Sequence, residues 1–185
     1  MRKQKASKIF VIACEGDAEI NLFGYLKISV HKKLTTDLKP SLRTENLGGF
    51  NSQSEFEKEY KDLMKKYDLN DRAKLIQFVF LFDNDLSDSH KIKSFLEKQE
   101  HLVTQLDPNI EGFILELIGK TITGNNRTEL FRKQCKEKFK KEFGVETHRM
   151  KTKDWDKIFG KDCCNINSLI KNNLDLESLV KIIKG

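Results

Sequence analysis

The chain has 185 residues, 38% apolar and 34% charged, with a net charge of +6 and a pI near 9.0. That length supports one domain with a real core, and the balance is too apolar for a disordered chain and too polar for a membrane-embedded one. No apolar run approaches the roughly 20 residues that a bilayer span needs. The basic opening, MRKQKASK, lacks the apolar stretch and small-residue cleavage site of a secretory signal, so the expected compartment is the cytoplasm, with no membrane partner. The four cysteines, Cys14, Cys135, Cys163 and Cys164, show no zinc-type spacing and read as reduced thiols without a role.

After Lys8, Ile9 to Ala13 form an unbroken apolar run rich in β-branched residues, the pattern of a strand covered on both faces. It ends in Cys14-Glu15-Gly16, where Gly16 allows a sharp turn. Asp17 then caps a helix whose expected apolar side is Ile20, Phe23, Tyr25, Leu26 and Ile28. Ser41 to Leu47 reads as a second strand, closed by Gly48-Gly49. A helix follows, capped by Ser54 and carrying Phe56, Tyr60, Leu63 and Met64. Asp68 to Arg72 reads as a loop. Leu75 to Phe82 is a second strand, apolar apart from Gln77, and ends in Asp83-Asn84-Asp85. A helix over Lys91 to Gln99, a strand over His101 to Leu106 and a helix over Asn109 to Lys120 complete a β-α-β-α-β-α-β-α series, the order of a parallel sheet covered by helices. By default Asp107 caps the last of these helices and Glu111 compensates its dipole.

From Thr121 the character changes. A loop over Thr123 to Arg127 leads into a basic helix over Thr128 to Phe143, with Leu130, Phe131, Phe139 and Phe143 as its apolar residues. A short extended piece over Gly144 to Thr147, the Trp-bearing segment Asp154 to Phe159 and an amphipathic helix over Leu174 to Ile183 follow. The division expected is a catalytic core over 1–120 and a mainly helical, basic extension over 121–185 packed on it. Between Arg127 and Lys161 twelve Lys/Arg face six Asp/Glu, a surplus equal to that of the whole chain. A basic segment beside acids suits a polyanion, against the plain alternative of a solvated helix face.

Two apolar strands thus end in acids: Glu15 in one, Asp83 and Asp85 in the other. In Asp-x-Asp at a strand end both side chains share a face. A hard cation relieves the repulsion between such carboxylates, and Mg²⁺ takes one or two of them while keeping several waters. A further Glu completes the shell or acts as base on a metal-bound water. Glu19 follows Glu15 by one helical turn and faces the same space. Each motif alone is ordinary turn and cap chemistry. Their force comes from falling at one edge of one sheet, where ligands gather in open α/β folds.

The order of these motifs resembles the Toprim pattern: an apolar strand ending in Glu-Gly, a Glu four residues on, then a strand ending in Asp-x-Asp. The fit is to the RloB-like group of small Toprim proteins from bacterial defence and restriction-linked loci. Its Cys-Glu-Gly-x-Thr-Glu opening is similar to Cys14-Glu15-Gly16-Asp17-Ala18-Glu19. Its Gly-Gly loop is similar to Gly48-Gly49, its Phe-Asp-x-Asp to Phe82-Asp83-Asn84-Asp85, and its Asn-Pro-x-Phe-Glu helix start to Asp107-Pro108-Asn109-Ile110-Glu111. The resemblance covers about Lys8 to Lys120; Ala18, Asp107 and Ile110 depart from it, while every carboxylate is kept. It implies a Toprim fold and a Mg²⁺-dependent nuclease of DNA or RNA, with Mn²⁺ an alternative ion, acting in anti-phage defence, and it raises a partner ATPase. It implies Glu15 as general base or ligand, Asp83 and Asp85 as Mg²⁺ ligands, and Glu19 and Glu111 at a second ion or its outer shell. A late lysine near the phosphate, Lys151 or Lys153, completes the set.

Other readings compete. A phosphatase-like site would use Asp83 as nucleophile and Asp85 as acid, but that chemistry wants its Asp-x-Asp on the first core strand. A receiver-type phosphoacceptor, or a nucleic-acid-binding or regulatory module without catalysis, also gathers acids at a sheet edge. No Gly-Lys-Ser/Thr exists for ATP hydrolysis. His31, His90, His101 and His148 pair with no Ser or Cys nucleophile and read as surface or helix-end residues. Trp155 and the late phenylalanines read as core before they read as base-stacking platforms.

Overall fold

A computed structural model describes residues 9–34, 40–67, 76–84, 87–120, 122–124, 128–171 and 173–185. The loop expected over Asp68 to Arg72, Leu75 at the head of the second apolar run, Asp85, and residues 125–127 of the loop before the basic helix lie outside the described residues.

Four parallel strands form the sheet, in the order β2-β1-β3-β4: β1 (Ile9–Cys14), β2 (Ser41–Asn46), β3 (Ile76–Asp83) and β4 (Leu102–Leu106). The two apolar runs became the two central strands. In β1 Val11 to Cys14 are all 0% exposed, and in β3 Phe78 to Asp83 are all buried. Side chains alternate along each strand, so two cores arise from one sequence. Ile12, Cys14, Val79, Leu81 and Leu106 face one side; Val11, Ala13, Phe78, Phe80 and Phe82 face the other. β2 is an edge strand in which Leu42 is buried while Ser41, Arg43 and Thr44 are exposed.

Parallel pairing needs a crossover between successive strands, and here each is a helix. α1 (Asp17–His31) links β1 to β2 and covers the first side with Leu22, Phe23, Leu26 and Val30, a spacing of one, three and four. α2 (Gln53–Tyr67) and α3 (Ser89–Lys98) cover the second with Phe56 and Leu63, and with Ile92 and Leu96. α4 (Ile110–Leu117) returns to the first side. The later helices join α1 and α4 there: α5 (Glu129–Phe143) through Phe139, α6 (Thr152–Phe159) through Trp155, Ile158 and Phe159, α7 (Ile166–Ile170) through Ile166, and α8 (Leu174–Lys184) through Leu176, Leu179, Val180 and Ile183. Trp155 is core, 1% exposed, and its indole N–H donates to Asn21 Oδ1 at 3.1 Å. No described helix is long and apolar enough to cross a membrane.

Helix phase and caps correct several expectations. Ile28 and Leu130, placed on inward faces by spacing, are 62% and 67% exposed, while Leu22 and Val30 fill the core instead. Asp17 is the first residue of α1; the cap position is Gly16. Ser54 lies inside α2, and Ser52 Oγ accepts the Glu55 N–H at 3.3 Å. Asn109, not Asp107, caps α4, accepting from the Gly112 N–H at 2.9 Å; Asp107 accepts from Asn84 Nδ2. The expected extended piece ending at Thr147 gives way to a short 3-10 turn over Thr147–Arg149. Cys14, Cys135 and Cys163 are free and buried; Cys164 is free and exposed.

On the second side His101 packs among Tyr60, Phe78 and Phe80, and its Nε2 lies 3.0 Å from Tyr60 Oη. Burial holds its imidazole below the usual range. Folding therefore favours the neutral ring. Stability from this residue is full above the unfolded value of about 6.5 and is lost as pH falls through the lower folded value. Urea unfolding between about pH 7.5 and about pH 5 should show a steeper loss of stability for the wild type than for His101→Phe, which cannot titrate.

Candidate active site

The order β2-β1-β3-β4 reverses direction between β1 and β3: the chain leaves β1 toward β2, then crosses back to β3 on the other flank. The carboxyl ends of those two strands are where a crevice opens in a doubly wound sheet. Both strands end there in acid, Glu15 one residue beyond β1 and Asp83 as the last residue of β3.

Backbone donors hold these acids in place. Glu15 Oε2 accepts the Asp83 N–H at 3.1 Å, which joins residues 68 apart across the two strand ends. Asp83, 9% exposed, accepts the Ile110 N–H at 2.9 Å through Oδ1, so it anchors the first turn of α4. Glu19, 5% exposed, turns back to accept the Gly16 N–H at 3.0 Å through Oε2, satisfying an amide that the start of α1 would otherwise orphan. The loop after β2 closes the wall. Gly48 and Gly49 have φ of 81° and 75°, conformations open to glycine at little cost, and the Gly49 N–H donates to the Glu15 carbonyl at 2.7 Å.

These groups line one cleft of about 470 Å³: Glu15, Gly16, Glu19, Asn46, Gly48, Gly49 and Asp83 on the sheet side, with Lys136 of α5 and His148 of the 3-10 turn opposite. Sequence reasoning thus brought Glu15, Glu19 and Asp83 to one space, and the structure does the same. Asp85 lies outside the described residues. Glu111 lines an adjoining cavity that shares Lys136 and His148 with the cleft. It stands in the first turn of α4, as the default reading had it, but is buried there at 7% exposed, and Thr147 Oγ1 donates to its Oε1 at 2.7 Å. Lys151 and Lys153 are exposed near the start of α6 and line neither space; the Lys151 N–H donates to Asp154 Oδ2 at 3.1 Å. Among the described residues, the late lysine that does reach the cleft is Lys136.

Lys136 and His148 had only weak signals in the sequence. Lys136 is one of six basic residues on α5, and only the packing of Phe131, Cys135 and Phe139 fixes which of them turns toward the acids. His148 is delivered by Asn21 of α1, whose Nδ2 donates to the Thr147 carbonyl at 3.2 Å and to the Met150 carbonyl at 2.8 Å.

Mg²⁺ is the ion that the residue pattern implied. Among the described residues no three His, Cys, Asp or Glu gather closely enough to hold a metal by themselves. Glu15 and Asp83 nonetheless fit it: they offer only carboxylate oxygens in a shared cleft, and Mg²⁺ needs one or two carboxylates with water filling the remaining positions. No family model, curated protein or solved structure matches the chain.

Among the described residues Thr147 is the sole hydrogen-bond partner of the Glu111 carboxylate, since Oε2 has none there. Thr147→Val leaves both oxygens buried and bare, and is expected to destabilise the protein by about 1–3 kcal/mol in urea unfolding. The double variant Thr147→Val with Glu111→Met removes the polar pair together and should recover part of that loss.

Proposed function

We propose that the protein is a Mg²⁺-dependent nuclease of Toprim type that hydrolyses phosphodiesters in DNA or RNA. The observation that supports this is the meeting of Glu15, Glu19 and Asp83 in one cleft at the switch point of the sheet, faced by Lys136. Glu15 and Asp83 would hold the ion, with Asp85 two residues beyond Asp83 in the sequence. When bound, Mg²⁺ would polarise the phosphoryl oxygens and favour ionisation of a bound water.

The chain's own groups supply the rest. Tied at one oxygen to the Asp83 N–H, Glu15 keeps its carboxylate at the strand end, where it can take a proton from the attacking water. Lys136 sits across the cleft as the counter-charge for a phosphate. The half-exposed His148 is the group at hand to protonate the leaving oxygen. Glu19 holds the turn after β1 through Gly16 and keeps Glu15 aimed. The basic surplus over 127–161 favours a polyanionic substrate. The RloB-like resemblance adds a role in bacterial anti-phage defence and the prospect of a partner ATPase.

Phosphoacceptor and phosphatase readings ask Asp83 to be an open nucleophile. Its burial and its bond to the Ile110 N–H disfavour that role. The test is cleavage of labelled single- and double-stranded DNA and RNA with Mg²⁺, Mn²⁺ or EDTA. Cleavage should require metal, and Glu15→Gln and Asp83→Asn should each lower it by at least about a hundredfold. Lys136→Ala should lower it by roughly ten- to a hundredfold. Binding without cleavage, unchanged in the acid variants, would instead mark a non-catalytic module, and an aspartyl-phosphate trapped at Asp83 would mark a phosphoacceptor.

A further inference from the structure

The cavity beside the acid cleft has a volume of about 450 Å³, within the range of small-ligand sites. Its wall combines two unmet demands. Lys133, Lys136 and Lys140 stand three and four residues apart, on one face of α5, and all three line it. Lys140 is paired with Glu146 at 3.0 Å, whereas Lys133 and Lys136 have no acidic partner among the described residues. Glu111, 7% exposed, lines the same cavity, and its Oε2 is buried without any hydrogen-bond partner. A buried carboxylate oxygen left bare is costly, and such an atom in a native site marks a missing donor. The exposed Glu137 on the same wall keeps the cavity from being a simple anion trap.

An occupant that answers both demands brings an anion to Lys133 and Lys136, and an N–H or O–H donor to Glu111. A nucleotide carries both: a phosphate at one end, and ribose hydroxyls or an exocyclic base amine at the other. We propose that this cavity is a subsite for one nucleotide of the substrate strand, next to the phosphodiester held over the acid cleft. The shared Lys136 and His148 form the boundary between the two spaces. The subsite rests on the nuclease reading for its place in the reaction, and it adds recognition of a whole nucleotide where that reading needs only a phosphate.

Titration calorimetry with adenosine 5′-monophosphate in EDTA, where no cleavage occurs, tests it. The wild type should bind. Glu111→Gln keeps the shape and an acceptor for Thr147 but turns the bare oxygen into a donor; it should weaken binding about tenfold. Lys133→Gln should weaken it roughly fivefold. Thermal melts of both variants check that they fold. A 2′-deoxy arm separates the two donor sources: a further loss assigns Glu111 to the ribose, and equal binding assigns it to the base, either way keeping the subsite.

Binding of inorganic phosphate as tight as that of the nucleotide, and indifferent to Glu111→Gln, would overturn the proposal. So would an absence of nucleotide binding, or binding lost in Glu15→Gln and Asp83→Asn alone. Metal-dependent cleavage without nucleotide binding removes the subsite and leaves the nuclease standing; nucleotide binding without cleavage does the reverse.

Discussion

Asp83 holds the site together because it works in two directions. Its backbone N–H gives Glu15 a fixed partner, and its side chain takes the first turn of α4. A charged acceptor on a helix-start amide is among the stronger hydrogen bonds available to a protein. From α4 the same logic continues outward. Glu111, next to Ile110, is held by Thr147; the Thr147 carbonyl is held by Asn21 of α1; and Asn21 also takes the Trp155 indole. Glu19, two residues before Asn21 on α1, holds the turn after β1. One chain of polar contacts thus runs from strand end to helix to turn and back to the helix that follows Glu15.

Such a chain succeeds only if the apolar layers on either side are firm, because each link is a directional contact of about 3 Å. The sheet provides that firmness. Its two central strands are buried on both faces, and the α1 side of the core draws on six of the eight α-helices among the described residues. The α2 and α3 side is thinner and is filled by rings: Phe50, Phe56, Tyr60, Phe80 and Phe95 lie in edge or tilted contact around Phe56 and Tyr60. The acids therefore stand at the rim of a stiff platform, and the cations opposite them stand on elements bolted to its better-covered face.

How much of this was legible depended on the range of the signal. β1 and β3 were plain because a continuous apolar run carries its own meaning, and with them came Glu15 and Asp83. The four-strand parallel sheet followed from the alternation of strands and helices. Caps were misplaced by one or two residues at Asp17, Ser54 and Asp107, since several polar residues stand near each helix start and only local geometry selects among them. Ile28 and Leu130 were drawn inward by spacing, yet a small rotation of helix phase turns them to solvent. Lys136, Thr147 and His148 were invisible as site residues. No strong local pattern marks them: Lys136 is placed by the packing of α5, and Thr147 and His148 by Asn21, a residue more than 120 positions away.

That last separation has a consequence during synthesis. The strands and their acids are complete once the ribosome has passed Leu106, but the opposite wall and the Asn21 clamp need residues from 136 to 155. Domains form as the chain emerges, amino-terminal parts first. A nascent chain therefore carries the acids on an open ledge until residues 136 to 155 have followed them, and the cleft takes shape only then.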